Sequence, residues 1–117
     1  MRSLVAFLLL TAPALAETYQ PITDRSTFVD IITQHELRIG LYNLNLTISP
    51  KGKISGSALG WQITGDWTWQ DGYFCRKLDW SGTPIPYNCQ LVEAKGREKL
   101  RFTTDKGAGE SAAFDLR

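Results

Sequence analysis

Two hydrophobic periods divide the chain. Phe28, Ile31 and Ile32, with Val29 beside them, fall at the i, i+3, i+4 spacing of one helix face. Asp24 stands in front with the side-chain oxygen that an N-cap requires. Together they predict a helix of about ten residues that ends near His35. From Leu37 the period shortens to two. Leu37, Ile39 and Leu41 alternate, and Leu44, Leu46 and Ile48 alternate on the opposite parity, so a bulge or bend is expected between Gly40 and Asn43. Pro50-Lys51-Gly52 turns the chain, and Ile54 opens a Gly-rich strand through Gly56 and Gly60. Trp61, Ile63, Gly65, Trp67 and Trp69 share one face of the next strand.

Asp71-Gly72 marks a hairpin. Beyond it Phe74, Arg76, Leu78 and Trp80 alternate with Tyr73, Cys75, Lys77 and Asp79. Residues 81–86 read as a loop with two prolines. Tyr87, Cys89 and Leu91 then resume one parity, Lys95-Gly96 turns the chain, and Leu100 with Phe102 forms a strand. A Gly-rich turn at 105–110 leads to Ala112, Phe114 and Leu116. Short strands roughly ten residues apart, joined by tight turns, favour antiparallel pairing. The expected fold is mainly β: a short N-terminal helix followed by about seven antiparallel strands in a small calycin-like barrel or half-barrel. Neither a repeat nor a linker divides residues 17–117, which read as a single domain.

The start of the chain reads as an address. Arg2 supplies a basic beginning, residues 4–10 a short apolar run, and Ala14-Leu15-Ala16 the small residues of a cleavage site. Residues 1–16 are therefore expected to be a signal peptide cleaved after Ala16, leaving a periplasmic or secreted protein. Glu17 follows the cut rather than cysteine, so a lipid-modified terminus is not expected. The apolar run falls short of the ~20 residues of a spanning helix, and no membrane span is expected in the mature chain. Export also gives the cysteines a meaning. Cys75 and Cys89 are the only two, and an even pair in an oxidising compartment reads as a disulfide. The bridge would close a loop of about fifteen residues, worth roughly 3 kcal/mol by chain entropy.

With 117 residues, 43% of them hydrophobic, the chain holds enough apolar matter for one core. Thirteen Lys and Arg against twelve Asp and Glu leave a formal charge of +1. That is too little for a face that neutralises phosphates, so nucleic acid is not an expected partner. One histidine, His35, and two cysteines cannot fill a four-ligand zinc shell, so no metal is expected. His35 would have to serve any serine–histidine or cysteine–histidine arrangement, and its place at a helix end suits C-capping. Asp66, Asp71, Asp79, Asp105 and Glu110 could supply paired carboxylates for acid–base chemistry. Turn preference accounts for Asp71 and Asp105, however, and a polar strand face for Asp66. Gly107-x-Gly109-x-x-Ala112 has the spacing of a relaxed dinucleotide fingerprint. A nucleotide site needs a following helix, a further strand and an acidic residue about twenty positions on, and five residues follow Ala112. A hairpin turn is expected there, and no cofactor. Asn45-Leu46-Thr47 matches a glycosylation sequon, but within a strand.

Aromatic residues are the strongest chemical signal. Trp67, Trp69 and Trp80 flank the Asp71-Gly72 hairpin; such surfaces hold sugars, peptides and apolar ligands, and equally well fill a barrel. Arg76 shares its face with Leu78 and Trp80. If that face is inward, the guanidinium needs an internal carboxylate, Asp66 or Glu110, or an anionic or planar guest. Trp67, Trp69, Arg76 and Trp80 are thus candidate ligand-binding residues, and no catalytic residue is assigned.

Three segments carry a resemblance. They are Trp67-Thr68-Trp69-Gln70-Asp71-Gly72-Tyr73-Phe74-Cys75-Arg76, then Asn88-Cys89-Gln90, then residues 100–112, Leu-Arg-Phe-Thr-Thr-Asp-Lys-Gly-Ala-Gly-Glu-Ser-Ala. The chain resembles, from Thr23 onward, a family of small exported alphaproteobacterial proteins that often bear the name dihydrodipicolinate reductase. The resemblance implies an exported, disulfide-bearing domain of this size. The two-domain nicotinamide enzyme of that name has a Gly-rich nucleotide loop and a histidine cluster, and this chain has neither, so no catalytic residue is carried over. The expected function is a periplasmic binding or inhibitor module. The alternatives are an envelope structural or interaction protein without a small ligand, and an enzyme. An unknown small ligand or an envelope protein is the expected partner of a monomeric chain.

Overall fold

The computed structural model describes residues 18–117, so the expected signal peptide lies outside the described residues. The helix α1 (Arg25–Gln34) follows Asp24, whose carboxylate accepts from the Ser26 hydroxyl at 2.7 Å and from the Thr27 N–H at 3.0 Å. These bonds, the Ser26 hydroxyl foremost, hold the Asp24 carboxyl below the usual aspartate range. His35 closes the helix as expected, its Nδ1 donating to the Ile31 carbonyl at 2.9 Å.

Among the described residues, nine strands accompany the helix. They are β1 (Gln20–Ile22), β2 (Leu37–Ile39), β3 (Leu44–Ile48), β4 (Lys53–Ala58), β5 (Trp61–Gln70), β6 (Tyr73–Trp80), β7 (Thr83–Lys95), β8 (Lys99–Thr103) and β9 (Ser111–Leu116). From β2 onward each strand pairs antiparallel with the next, and β9 returns to pair with β2, Leu37 opposite Leu116. The result is a closed eight-stranded up-and-down barrel of calycin-like size, not a half-barrel.

The ninth strand, β1, joins the long β7. Arg76 of β6 pairs with Asn88 and Phe74 with Gln90, and β1 takes over beyond that point with Ile22 opposite Val92. Three residues that include Pro21 carry no periodic signal, so β1 was absent from the expected count; its pairing, not its propensity, makes it a strand. The expected bulge at residues 40–43 is a 3₁₀ turn at Gly40–Tyr42 that ends in Asn43 at φ 47°. It splits the two parities into separate strands.

Residues 81–86 are not a loop. The turn is confined to Ser81-Gly82, and Pro84 and Pro86 lie within β7. Pro84 stands opposite Asp79, and Pro86 falls where Arg76↔Asn88 gives way to Leu78↔Ile85. Lys77 thus faces two residues, the bulge geometry in which a strand tolerates proline.

Alternation sorts the wall. Ile54, Ile63, Trp67, Phe74, Phe102 and Phe114 point inward and are buried. Thr64, Asp66 and Thr68 on the outer face of β5 and Lys77 on β6 are exposed, the reverse of a lipid-facing barrel, whose outer band is apolar. Cys75 and Cys89 stand opposite one another in the β6–β7 register and are joined by a disulfide, as expected.

Candidate functional site

The barrel is stoppered at one end. α1 lies across it, and Phe28, wholly buried, sets its ring 5.3 Å from Trp67, 5.0 Å from Trp69 and 5.2 Å from Phe74. Phe102 continues the column, 5.2 Å from Phe74 and 5.5 Å from Phe114. Contacts of this kind add to the burial of each ring, which is worth about 1.5–3 kcal/mol. Trp67 donates its indole N–H to the Ser49 carbonyl at 2.8 Å and Trp69 to that of Thr23 at 3.2 Å. Both tryptophans therefore belong to the stopper. The guanidinium over Trp67 is that of Arg25, 5.2 Å from the ring centroid, not that of Arg76.

The other end is open. Its connections are Gly40–Tyr42, Leu59-Gly60, Ser81-Gly82 and the β8–β9 segment around Asp105–Gly107. Inside it lies a cavity of about 320 Å³ lined by Tyr42, Leu44, Ala58, Leu59, Ile63 and Trp80. A second cavity of about 230 Å³ lies against Ile48, Ile54, Phe74, Arg76, Gln90 and Phe102. Leu46, Leu78, Ile85 and Phe114 line both, so the space runs from the mouth down to the aromatic column. Together the two parts fall within the ~300–1,000 Å³ of small-molecule sites.

Two polar side chains stand in this apolar wall. Arg76 is only 9% exposed and Gln90 8%. Arg76 faces Trp67 across β5 and β6, and the bulge at Pro86 brings a carbonyl to it: Nη1 donates to Pro86 O at 2.7 Å. Gly65 makes room beside the bulge, because a Cβ there would stand 2.5 Å from the Lys77 carbonyl and 2.6 Å from the Leu78 side chain. A guanidinium carries five N–H donors. Among the described residues, no carboxylate forms an ion pair with it.

Neither expected internal partner is there. Asp66 is turned outward to Lys53 at 2.7 Å, and Glu110 is exposed in the β8–β9 connection. Burial pushes the Arg76 guanidinium below the usual arginine range, yet an arginine remains a cation in proteins. Of the four residues singled out from sequence, Arg76 and Trp80 line the cavity, Trp80 at the mouth with its indole N–H on Ala58 O at 3.2 Å. Gln90 was missed; its even position on β7, opposite Phe74, was the available signal. The 105–110 turn holds a 3₁₀ turn at Asp105–Gly107, with Asp105 bonded to Asn88 through both backbone and side chain. No protein-family model, curated protein or solved structure matches the chain.

Proposed function

We propose that this chain is an exported binding module whose barrel takes a small amphipathic anion, with its apolar body in the cavity and its charge on Arg76. One observation carries the reading: a buried arginine, inside an apolar barrel, with a single carbonyl as partner among the described residues. Burying an unpaired charge is costly, and a fold that needed only packing would use a methionine or leucine there. An aliphatic or aromatic carboxylate supplies what the site lacks, a bidentate acceptor for the planar fork. Gln90 adds an amide on the same wall. The disulfide accords with an oxidising compartment outside the cytoplasm. Export after Ala16, kinship with the small exported proteins and a monomeric state belong to this proposal.

The test is calorimetric titration with decanoate against decanol, and the same pair with Arg76→Met. Decanoate should bind more tightly than decanol by roughly 10–100-fold, the worth of a charged hydrogen-bonded pair. Arg76→Met should remove that difference while its stability holds or rises, since it deletes a buried unpaired cation. Equal binding of the two probes by the wild type, or an unchanged preference in Arg76→Met, would overturn the assignment.

A further inference from the structure

The rim of the mouth carries a feature that folding does not require. Leu41 is 84% exposed, and Tyr42, Leu59 and Trp61 are 53%, 59% and 62% exposed. All four sit on two adjacent turns, those joining β2 to β3 and β4 to β5, tied together by the Leu59 N–H on the Tyr42 carbonyl at 3.1 Å. The segments Gly40-Leu41-Tyr42-Asn43 and Ala58-Leu59-Gly60-Trp61 contain no charged residue. Neither does the third turn, Ser81-Gly82, where the Asp79 carboxylate is held by the Gly82 N–H at 2.8 Å; the charges of this end, Asp105, Lys106 and Glu110, sit on the β8–β9 connection, which Asp105 fastens to Asn88 of β7.

Leu59 adds a second observation. It lies at φ +53°, followed by Gly60 at φ +84°. A two-residue hairpin turn of this hand normally takes Asn, Asp or Gly first, because a branched L-residue is strained in the left-handed region. An aliphatic side chain held there and turned to solvent opposes both backbone preference and the hydrophobic effect.

From these residues we infer that the rim docks on a lipid bilayer, with Leu41, Leu59 and Trp61 entering the interfacial layer and the mouth facing the acyl chains. The form of the patch selects this occupant. A stable protein interface engages about 20–30 residues a side and is framed by polar and charged groups. This patch has four large side chains on uncharged turns. Trp and Tyr beside Leu are the residues that settle at a membrane–water boundary. The patch is also continuous with the cavity, since Tyr42 and Leu59 line its mouth. A protein lid would seal that opening, whereas a bilayer opens it onto a reservoir of apolar chains. The inference stands apart from the Arg76 reading, because none of Leu41, Tyr42, Leu59 and Trp61 lines the part of the space that holds the guanidinium.

Flotation with phosphatidylcholine vesicles and with phosphatidylglycerol-containing vesicles tests it. The disulfide-bonded protein should float with both, at low and high salt, and Trp61 emission should shift to the blue. Leu41→Ser and Trp61→Ser should each lower partition by roughly tenfold or more, the worth of returning one large apolar side chain to water. Leu59→Asn should weaken flotation while raising the melting temperature, which separates docking from folding. Arg76→Met should float like the wild type, so the ligand site and the docking face can fail independently. The inference is overturned if the protein stays in solution with both vesicles. Binding only to anionic vesicles that vanishes in high salt also overturns it, as does a concentration-dependent dimer in light scattering that Leu41→Ser abolishes.

Discussion

At the helix end of the barrel the turns and their flanks carry Lys51, Asp71, Lys95, Arg97 and Glu98, whereas three of the four connections at the mouth carry Leu41, Tyr42 and Leu59 and no charge; the charges there sit on the fourth, the β8–β9 connection, with Asp105, Lys106 and Glu110. The backbone shows the same divide. Positive φ at the helix end falls on Gly52, Asp71, Gly72 and Gly96, residue types that accept it, while at the mouth it also falls on Leu59 and Ser81. One end holds a packed aromatic stopper; the other holds a cavity with an unpaired cation. At the helix end the cap, the turns and the aromatic column point to the same structure, as a region selected for folding should. Departures from those rules gather at the mouth, and that is where binding is expected.

The comparison can be broken most directly by mutation at both ends. Phe28→Ala should cost about 3–5 kcal/mol, because a wholly buried ring is removed from a column of rings. Leu41→Ala should stay within about 0.5 kcal/mol. Guanidinium melts of the two variants measure the contrast, and similar losses would erase it.

A smaller effect tests what joins the ends. Cys75–Cys89 staples β6 to β7 next to the point where β7 changes partner from β6 to β1 and β8. Replacing both cysteines by serine should cost about 2–4 kcal/mol, read from the same melts.

The smallest effect belongs to the helix end alone. The Asp24 carboxyl is lowered in the folded protein, so its contribution is complete above the ordinary aspartate value, near about pH 4, and is lost as pH falls through the lowered value. Asp115, lowered by Lys99, acts with the same sign. Asp24→Asn keeps a good cap. It should therefore leave the melting temperature at pH 7 nearly unchanged and flatten, without abolishing, the acid limb of the wild-type melting curve.

Local chemistry was legible in the sequence; placement around the cylinder was not. The cap at Asp24, the turn at Asp71-Gly72 and the common face of Trp67 and Trp69 depend on neighbours along the chain or across one hairpin. Parity could not say that Trp67 and Trp69 meet Phe28 while Trp80 stands at the mouth, because that depends on where α1 lies across the barrel. Leu41 followed the alternation of Leu37 and Ile39 and so read as a strand residue, whereas the turn at Gly40–Tyr42 sends it into solvent. The paired Leu41-Tyr42, breaking the alternation, was the signal available. Pro84 and Pro86 suggested a loop because a bulge and a half-free edge are properties of the assembled sheet.

That edge has a bearing on how the molecule avoids its own kind. Only residues 91–95 of β7 pair with β8, so the stretch 83–90 has a strand neighbour on the β6 side alone. An open strand edge is a template on which another chain can lengthen the sheet. Here Pro84 and Pro86 offer no N–H, the bulge twists the ladder out of register, and the Asn88 side chain is already spent on Asp105. The unpaired edge of β7 is thus poor ground for cross-β recruitment.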